Sequence, residues 1–413
     1  MGAAMQRRNF LLSAAPLILP RRVFGANDRL KLAVIGLGNR AKWLLKNEEF
    51  PQADFVAFSD CNAPRMDEAR QIKPSLERAK TFVEFRTMIE REKPDAVFVE
   101  TTTHARVWVA MQAMQMGVDV YAEKPMSLTI AEGRAMADAA KKWKRVVQVG
   151  TQQRSIPINE WASRRIREGL LGRVHTVVVC NFEAPKVWEP KPAQPIPEGL
   201  NWDVWCNQTE LRPYHRDLQT RWAMWRDYDG GGQSWGVTGW GTHSLDQVHC
   251  ALGKDDTGPV EIWPEEPGQE GRVTMRYADG TLLRLVGKKR PEDHSDLGAI
   301  FHGENGTLEI KRGLLVGDAE LRKGAPPDTI EGPGENAWHI QNFLNAVRTR
   351  KAANADAEVG HRSTTVCCLV NICRDLGRRL QWDPVKEQFV NDAEANLHVS
   401  RPRRKGYELP ALG

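Results

Sequence analysis

Short apolar runs alternate with stretches of helical period along the first third of the chain. Residues 31–36, 54–59, 96–100, 118–122 and 146–149 read as buried strands, and residues 41–47, 108–116 and 130–143 read as helices. Strands separated by helices of this length predict a parallel, doubly wound sheet with right-handed crossovers. The pattern then changes. A helix at 158–169, opened by Pro157, leads to a strand at 174–181 and a long Pro- and Trp-rich stretch reaching about residue 230. Short alternating segments follow at 260–263, 272–277, 282–286, 299–301 and 308–311, divided by turn signals such as Asp279-Gly280 and Asn305-Gly306. They predict the hairpins of a large, open, mainly antiparallel sheet. Two helices, 339–350 and 361–380, and an irregular tail close the chain. The expected architecture is α/β: a parallel-sheet domain over 27–153, an α+β domain over 154–385 and a tail over 386–413.

The first strand runs into Gly36-Leu37-Gly38-Asn39-Arg40-Ala41, a G-x-G-x-x-A motif at the mouth of a helix. Gly36 permits the tight turn, Gly38 lets backbone amides approach a pyrophosphate, and Ala41 lets the helix pack closely on the strand. The helix N-terminus then receives the phosphate charge. The second strand ends at Asp60, 22 residues after Gly38. A carboxylate there takes hydrogen bonds from the adenosine ribose and repels a 2′-phosphate, so the expectation is a Rossmann domain that binds NAD, with NADP disfavoured. Ligands of such sheets lie along the carboxyl ends of the strands. Those ends carry Thr101-Thr102-Thr103-His104, Glu123-Lys124-Pro125 and Gly150-Thr151-Gln152-Gln153-Arg154. The expected cofactor residues are Gly36, Gly38, Asn39, Arg40, Asp60, Thr101, Thr102, His104, Glu123, Lys124 and Gln152.

Tyr121-Ala122-Glu123-Lys124-Pro125, with the glycine motif before it and residues 148–154 after it, resembles the glucose-fructose oxidoreductase and inositol dehydrogenase family, written Gfo/Idh/MocA. The resemblance continues through residues 200–205, Gly230-Gly231-Gly232, residues 240–246 and Gln381-Trp382-Asp383. It implies an oxidoreductase acting on hydroxyl groups of sugars or polyols, and a homo-oligomer, dimer or tetramer, joined through the C-terminal sheet. It also implies two catalytic residues: Lys124 would hold the reacting oxygen beside the nicotinamide, and His243 would trade the hydroxyl proton. Asp246, one helical turn beyond His243, would orient the ring or cap the helix. One position departs from the family pattern. An Asp usually stands four residues before this His, and here that place is Gly239; Thr102 and Arg106 stand where a Pro and a His are common. With that trio incomplete, three readings stay open: a dehydrogenase, a glycosidase that oxidises, eliminates and reduces again on bound NAD, and a sugar- or nucleotide-binding protein without turnover.

Six of the fourteen tryptophans fall within residues 202–240. Flat indole faces suit the C–H faces of sugar rings, and one or two of these are expected to line a pocket. Tyr214, His215, Arg221 and Arg226 are candidate hydrogen-bond partners of sugar hydroxyls. The substrate set expected from these features together is Arg154, Tyr214, Trp235, His243 and Asp246.

At 413 residues, 41% hydrophobic and 27% charged, the composition is globular and excludes fibrous, coiled-coil and disordered readings. The formal charge of +5 sits at the start, because Arg7, Arg8, Arg21 and Arg22 precede the first acidic residue, Asp28, and without them +1 remains. That leaves no electrostatic footprint for nucleic acid. Arg7-Arg8 ahead of the apolar run 10–19 reads as a twin-arginine signal over residues 1–26, which implies a periplasmic or otherwise exported protein. No later run is long enough for a stable membrane anchor. Seven cysteines without a C-x-x-C pair or a His at zinc spacing read as buried thiols, with no metal site.

Overall fold

The computed structural model describes residues 29–287, 297–329, 332 and 334–412, so the expected export signal lies outside the described residues. Six parallel strands form the first sheet: β1 (Leu30–Ile35), β2 (Ala53–Ser59), β3 (Lys80–Phe82), β4 (Ala96–Val99), β5 (Asp119–Ala122) and β6 (Val147–Val149). Their order is β3-β2-β1-β4-β5-β6. The central strands are continuously buried, as a sheet covered on both faces requires. Along β1, Ala33 and Ile35 join the core beneath α3 (Phe85–Glu92), α4 (Thr103–Gln115) and α5 (Ile130–Lys142). Leu32 and Val34 point the other way, toward α1 (Asn39–Asn47) and α2 (Pro64–Arg70). A helix from far along the chain, Ala337–Thr349, completes that second layer: Phe343 lies 5.6 Å from both the Phe98 and the Tyr121 ring. It packs on the first sheet although it lies within the expected second domain. The strand order reverses between β1 and β4, which opens the ligand crevice at their carboxyl ends.

The second sheet has nine strands in the order β13-β12-β11-β7-β10-β9-β8-β14-β15. They are β7 (Val174–Cys180), β8 (Glu261–Pro264), β9 (Val273–Arg276), β10 (Leu282–Val286), β11 (Ala299–Gly303), β12 (Gly306–Lys311), β13 (Leu314–Gly317), β14 (Leu380–Asp383) and β15 (Gln388–Phe389). β10 pairs with β7 in parallel and the remaining pairs are antiparallel. α6 (Pro157–Arg167), α9 (Trp240–Leu252) and α11 (Ala357–Leu376) cover one face. The connection from β7 to β8 carries α7 (Trp202–Cys206) and α8 (Arg216–Thr220) and builds a small core of its own from Trp188, Trp202, Trp205, Tyr214, Leu218 and Tyr228. α10 is the Ala337–Thr349 helix already placed on the first sheet.

The end of the chain differs from expectation. α11 stops at Leu376, four residues before the expected end, because Gly377 takes the left-handed conformation, φ +61°, that caps a helix, and Leu380 opens strand β14 (Leu380–Asp383). β15 carries the sheet into the segment expected to be a tail, and α12 (Ala393–Asn396) follows. The last residues pack back on both parts of the chain. Arg403 pairs with Glu132 of α5, Arg404 with Asp203 of α7, and the Tyr407 ring lies 5.1 Å from Trp108. The acids that hold this basic segment are distant in sequence, so its composition alone did not reveal them. All seven cysteines are free; five are buried, whereas Cys61 and Cys368 are half-buried. Among the described residues no helix is long and apolar enough to cross a membrane, and no group of His, Cys, Asp and Glu is arranged to hold a metal.

Candidate active site

A cavity of about 840 Å³ opens at the carboxyl edge of the first sheet. Gly36, at φ +90°, bends the chain out of β1, and a Cβ there would lie 2.8 Å from the Thr101 amide nitrogen. At Gly38 the nearest atom to such a Cβ is Arg65 Nη1, 3.8 Å away, so the loop keeps open space beside the cavity. α1 starts at Asn39 with no acidic residue in its first turn, which leaves its end amides to an anion. Asp60 braces the loop, accepting from Leu37 N at 2.6 Å and Asn62 N at 2.8 Å. Thr101 Oγ1, Gln152 Oε1 and both Glu100 carboxyl oxygens are buried without a partner among the described residues. A glycine cradle, a free helix end, an acid at the ribose position and spare polar groups fit a dinucleotide.

Of the eleven expected cofactor residues, only His104 is missing from the cavity wall. Its Nε2 meets the Trp205 carbonyl at 2.8 Å, and its ring sits 5.2 Å from Trp205 and 4.9 Å from Tyr228. Burial lowers its pKa to about 4, so it is a neutral packing residue.

Lys124, just past β5, and His243, in the first turn of α9, reach the same cavity. Lys124 Nζ donates to the Gly239 carbonyl at 3.1 Å. Burial pulls the pKa of this amine down, and the carboxylates of Glu123 and Asp229 resist. His243 is held well below its ordinary pKa by burial and then by the charges of Arg312, Lys124 and Arg40. A neutral imidazole therefore stands near the half-buried amine of Lys124, an arrangement that can accept a proton and, with the amine protonated, hold a developing oxyanion.

Gly239 is a requirement of the loop. A Cβ there would sit 1.9 Å from the Gln233 carbonyl oxygen, so neither Asp nor any other side chain fits. A carboxylate reaches the site from another position, one that the sequence pattern did not single out. Asp229 is fully buried in the wall of the cavity. It accepts from Thr103 Oγ1 at 2.5 Å and from Thr238 Oγ1. Burial raises its pKa, while those hydroxyls and the charges of Arg106 and Lys124 favour its ionised form. The only signal in the sequence is an acid directly before Gly230-Gly231-Gly232. Arg106 clamps the two strand-end loops together: it donates to Thr101 O at 2.6 Å, to Thr103 Oγ1 at 3.1 Å and to the Pro125 carbonyl.

The expected substrate residues fare less well. Arg154 grips both oxygens of Asp246 at 2.9 and 2.8 Å, and Asp246 also accepts from Ser363 Oγ at 2.7 Å. Arg154 reaches Asp255 as well, at 3.0 Å, and none of this cluster lines the cavity. It is a buried ion pair tying α9 to the end of β6, and Asp246 does not orient His243. Tyr214 bonds Gln219 Oε1 at 3.0 Å inside the small tryptophan core, and Trp235 packs 4.4 Å from Trp240; both lie outside the cavity wall. Arg226 pairs with Asp375, and His215 caps α8. From the 202–240 cluster, Trp205, Trp222 and Trp240 do line the cavity, together with Gln219, Gln233 and Arg312.

The sequence model of an oxidoreductase family's NAD-binding Rossmann fold matches residues 30–151, and that of its C-terminal alpha/beta domain matches residues 161–409. The chain belongs to the Gfo/Idh/MocA oxidoreductase family. Its first domain is accordingly the family's NAD-binding Rossmann domain, and the matched regions break where the chain passes from β6 to α6. Among Gfo/Idh/MocA relatives, the scyllo-inositol 2-dehydrogenase (NAD(+)) of Bacillus subtilis is 29% identical over 35% of this chain and 42% of its own length. The levoglucosan dehydrogenase of Pseudarthrobacter phenanthrenivorans is 24% identical over 55% of this chain and 52% of its own. The chain thus spans about half, or less, of the length of these curated relatives. Among solved structures, the WlbA dehydrogenase of Bordetella pertussis in complex with NADH and UDP-GlcNAcA superposes with a TM-score of 0.61 at 18% identity, covering 86% of this chain and 99% of that one. A levoglucosan dehydrogenase in complex with NADH and levoglucosan gives 0.59 at 17%, with the same coverage. At these identities the agreement is one of fold.

Proposed function

We propose that the protein is an NAD-dependent oxidoreductase acting on a hydroxyl-bearing carbon of a sugar, polyol or glycoside. The observation that carries this reading is the convergence of Lys124 and His243 on one cavity whose remaining walls are the glycine loop and the indoles of Trp205, Trp222 and Trp240. Bound NAD supplies the hydride acceptor. The chain supplies the rest. The Lys124 ammonium holds the substrate oxygen, and an imidazole nitrogen of neutral His243 accepts the hydroxyl proton. Asp229, steadied by Thr103 and Thr238, keeps a negative charge near Lys124 and so favours its protonated state. The indole faces receive the apolar side of the ring, and Gln219 and Gln233 offer partners to its hydroxyls. The reading is tested by supplying NAD with a panel of sugars, polyols and glycosides while following NADH absorbance and released aglycone. Net NADH is expected. Aglycone without net NADH would establish the recycling glycosidase instead, and silence despite tight NADH binding would leave a binding protein.

Two further parts of the reading concern where the protein works and how it assembles. Arg7-Arg8 before the apolar run 10–19 supports export by the twin-arginine route, which fractionation of cells expressing the full chain would test. Leu282 and Val286 of β10, Val178 of β7 and Ile300 of β11 remain half-buried on the uncovered face of the nine-stranded sheet. They support a homo-oligomer through that face, to be read by sedimentation.

A further inference from the structure

Four positions line up along the carboxyl edge of the first sheet. Ile35 is in register with Val99, Val99 with Ala122 and Ala122 with Val149. The next residue of each strand, Gly36, Glu100, Glu123 and Gly150, therefore stands beside its neighbour at a spacing of about 4.8 Å, with side chains on a common face. Two glutamates lie next to each other between two glycines. Gly150 leaves room for the Glu123 carboxyl, since a Cβ there would come within 2.9 Å of Glu123 Oε1, and Gly36 lets the chain pass close to the next strand, where a Cβ would come within 2.9 Å of the Glu100 carbonyl carbon.

The two carboxyl groups are served unequally. Glu123 accepts from Arg40 Nε at 2.7 Å and from Lys124 N at 2.9 Å. Glu100 is equally buried, yet neither of its oxygens has a donor among the described residues. A bare carboxylate buried beside another is costly, and a proton on one of them removes the cost. Both residues stand in the wall of the cavity together with the glycine loop, where a dinucleotide places its negatively charged pyrophosphate.

We propose that Glu100 and Glu123 hold one proton between them and that this proton is part of the dinucleotide site, which binds its anionic cofactor well only while Glu100 is neutral. The proposal rests on the NAD-dependent reading above. The charged and titratable groups that act on Glu100 or on which it acts are Glu123 and Tyr121 from β5 and its end, Arg40 of α1 and Arg106 of α4. Burial first and Glu123 second push the Glu100 carboxyl up to about 8, against the pull of Arg40 and Arg106. Below that pH the group is neutral; above it, a second negative charge appears in the wall of the cofactor cavity. If only the protonated pair binds tightly, Kd rises toward tenfold for each pH unit above that value.

The measurement is NADH fluorescence titration of the full protein from about pH 6.5 to about pH 9.5 at fixed ionic strength. The expected result is a Kd that is flat at the acid end and has risen about tenfold or more at the alkaline end, with Glu100→Gln, permanently neutral, losing that rise. A flat profile for the unaltered protein overturns the proposal. So does a rise that survives in Glu100→Gln, which would assign the proton to Lys124. Calorimetry of the unaltered protein near the alkaline end, in two buffers of different protonation enthalpy, needs no variant. Uptake approaching one proton per NADH supports the pair, and no uptake refutes it. Failure to bind NADH at any pH would instead remove the cofactor reading beneath it.

Discussion

The two walls of the cavity are built by different rules. The nucleotide wall is a sheet edge: Gly36, Glu100, Glu123 and Gly150 each follow directly on a buried strand, and the sheet holds them in register. The substrate wall is assembled from separate pieces: Gln219 and Trp222 near α8, Gln233 and Thr238 in the glycine-rich coil, His243 on α9 and Arg312 beyond β12. The first is rigid because many strand pairings place each residue. The second is set by buried polar ties, among them the Asp229 carboxylate held by Thr103 and Thr238. Binding and turnover should therefore respond separately to substitutions in the two walls.

The largest effect is expected at the seam. Lys124→Ala should lower kcat/KM on the order of 10³-fold, about 4 kcal/mol of stabilisation of the developing oxyanion, and leave NADH affinity within a few-fold. Asp60→Ala should do the reverse, weakening NADH binding through loss of the Leu37 and Asn62 bonds while kcat at saturating cofactor persists. NADH binding that collapses in Lys124→Ala would mean that the two walls are one unit and that the lysine serves the cofactor.

Next in size is the buried ion pair that replaces an expected substrate contact. Arg154→Ala strands Asp246 among buried neighbours and should cost about 3–5 kcal/mol in thermal or denaturant unfolding, with the KM of the folded fraction unchanged. Unaltered stability with a raised KM would return Arg154 to the substrate wall.

The same contrast explains what could be read from the chain alone. The places of Gly36, Gly38, Asp60 and Lys124 in the cavity wall were legible because each lies at a short offset from a strand end, and strand ends are visible as breaks in apolar runs; the role expected of Lys124 came from the family resemblance. His104 was misplaced by the same logic: it also follows a strand, but α4 begins at Thr103 and turns the ring away toward Trp205 and Tyr228. Arg154 and Asp246 looked like ligand groups because each is polar beside a recognised motif. Their mutual pairing across 92 residues is a tertiary fact that no local pattern records. Asp229 escaped notice for the matching reason, since its partners Thr103 and Lys124 come from the first domain. The mainly antiparallel sheet was anticipated from alternation, but the parallel β7–β10 pairing and the late strands β14 and β15 depend on long-range closure.

A smaller effect belongs to Asp229. Asp229→Asn should reduce kcat roughly 10- to 100-fold and leave NADH binding intact. The sign of its pH effect follows from the charges. Lys124 already titrates below its ordinary value through burial, and Asp229 is one of two carboxylates that raise it. Removing that charge lowers it further, so the alkaline limb of the rate profile should move to lower pH. The acid limb reports His243, whose depressed pKa keeps the base neutral to well below the usual histidine value. An unmoved alkaline limb would show that Asp229 serves only to tie Thr103 to Thr238. Gly239→Asp should not rescue Asp229→Asn, because its Cβ would strike the Gln233 carbonyl.

The finest distinction lies within the tryptophan cluster. Trp222 lines the cavity, so Trp222→Ala should raise KM roughly three- to tenfold, about 1 kcal/mol of ring-face contact, with kcat nearly unchanged. Trp202 stacks on Trp205 at 4.5 Å and 13° and does not line the cavity, so Trp202→Phe should lower the melting temperature without moving KM. Two indoles 20 residues apart in the same stretch thus separate substrate contact from packing. If Trp202→Phe shifts KM as much as Trp222→Ala does, the small core and the substrate wall are mechanically one element, and the sugar is held by the whole loop instead of by the faces that touch it.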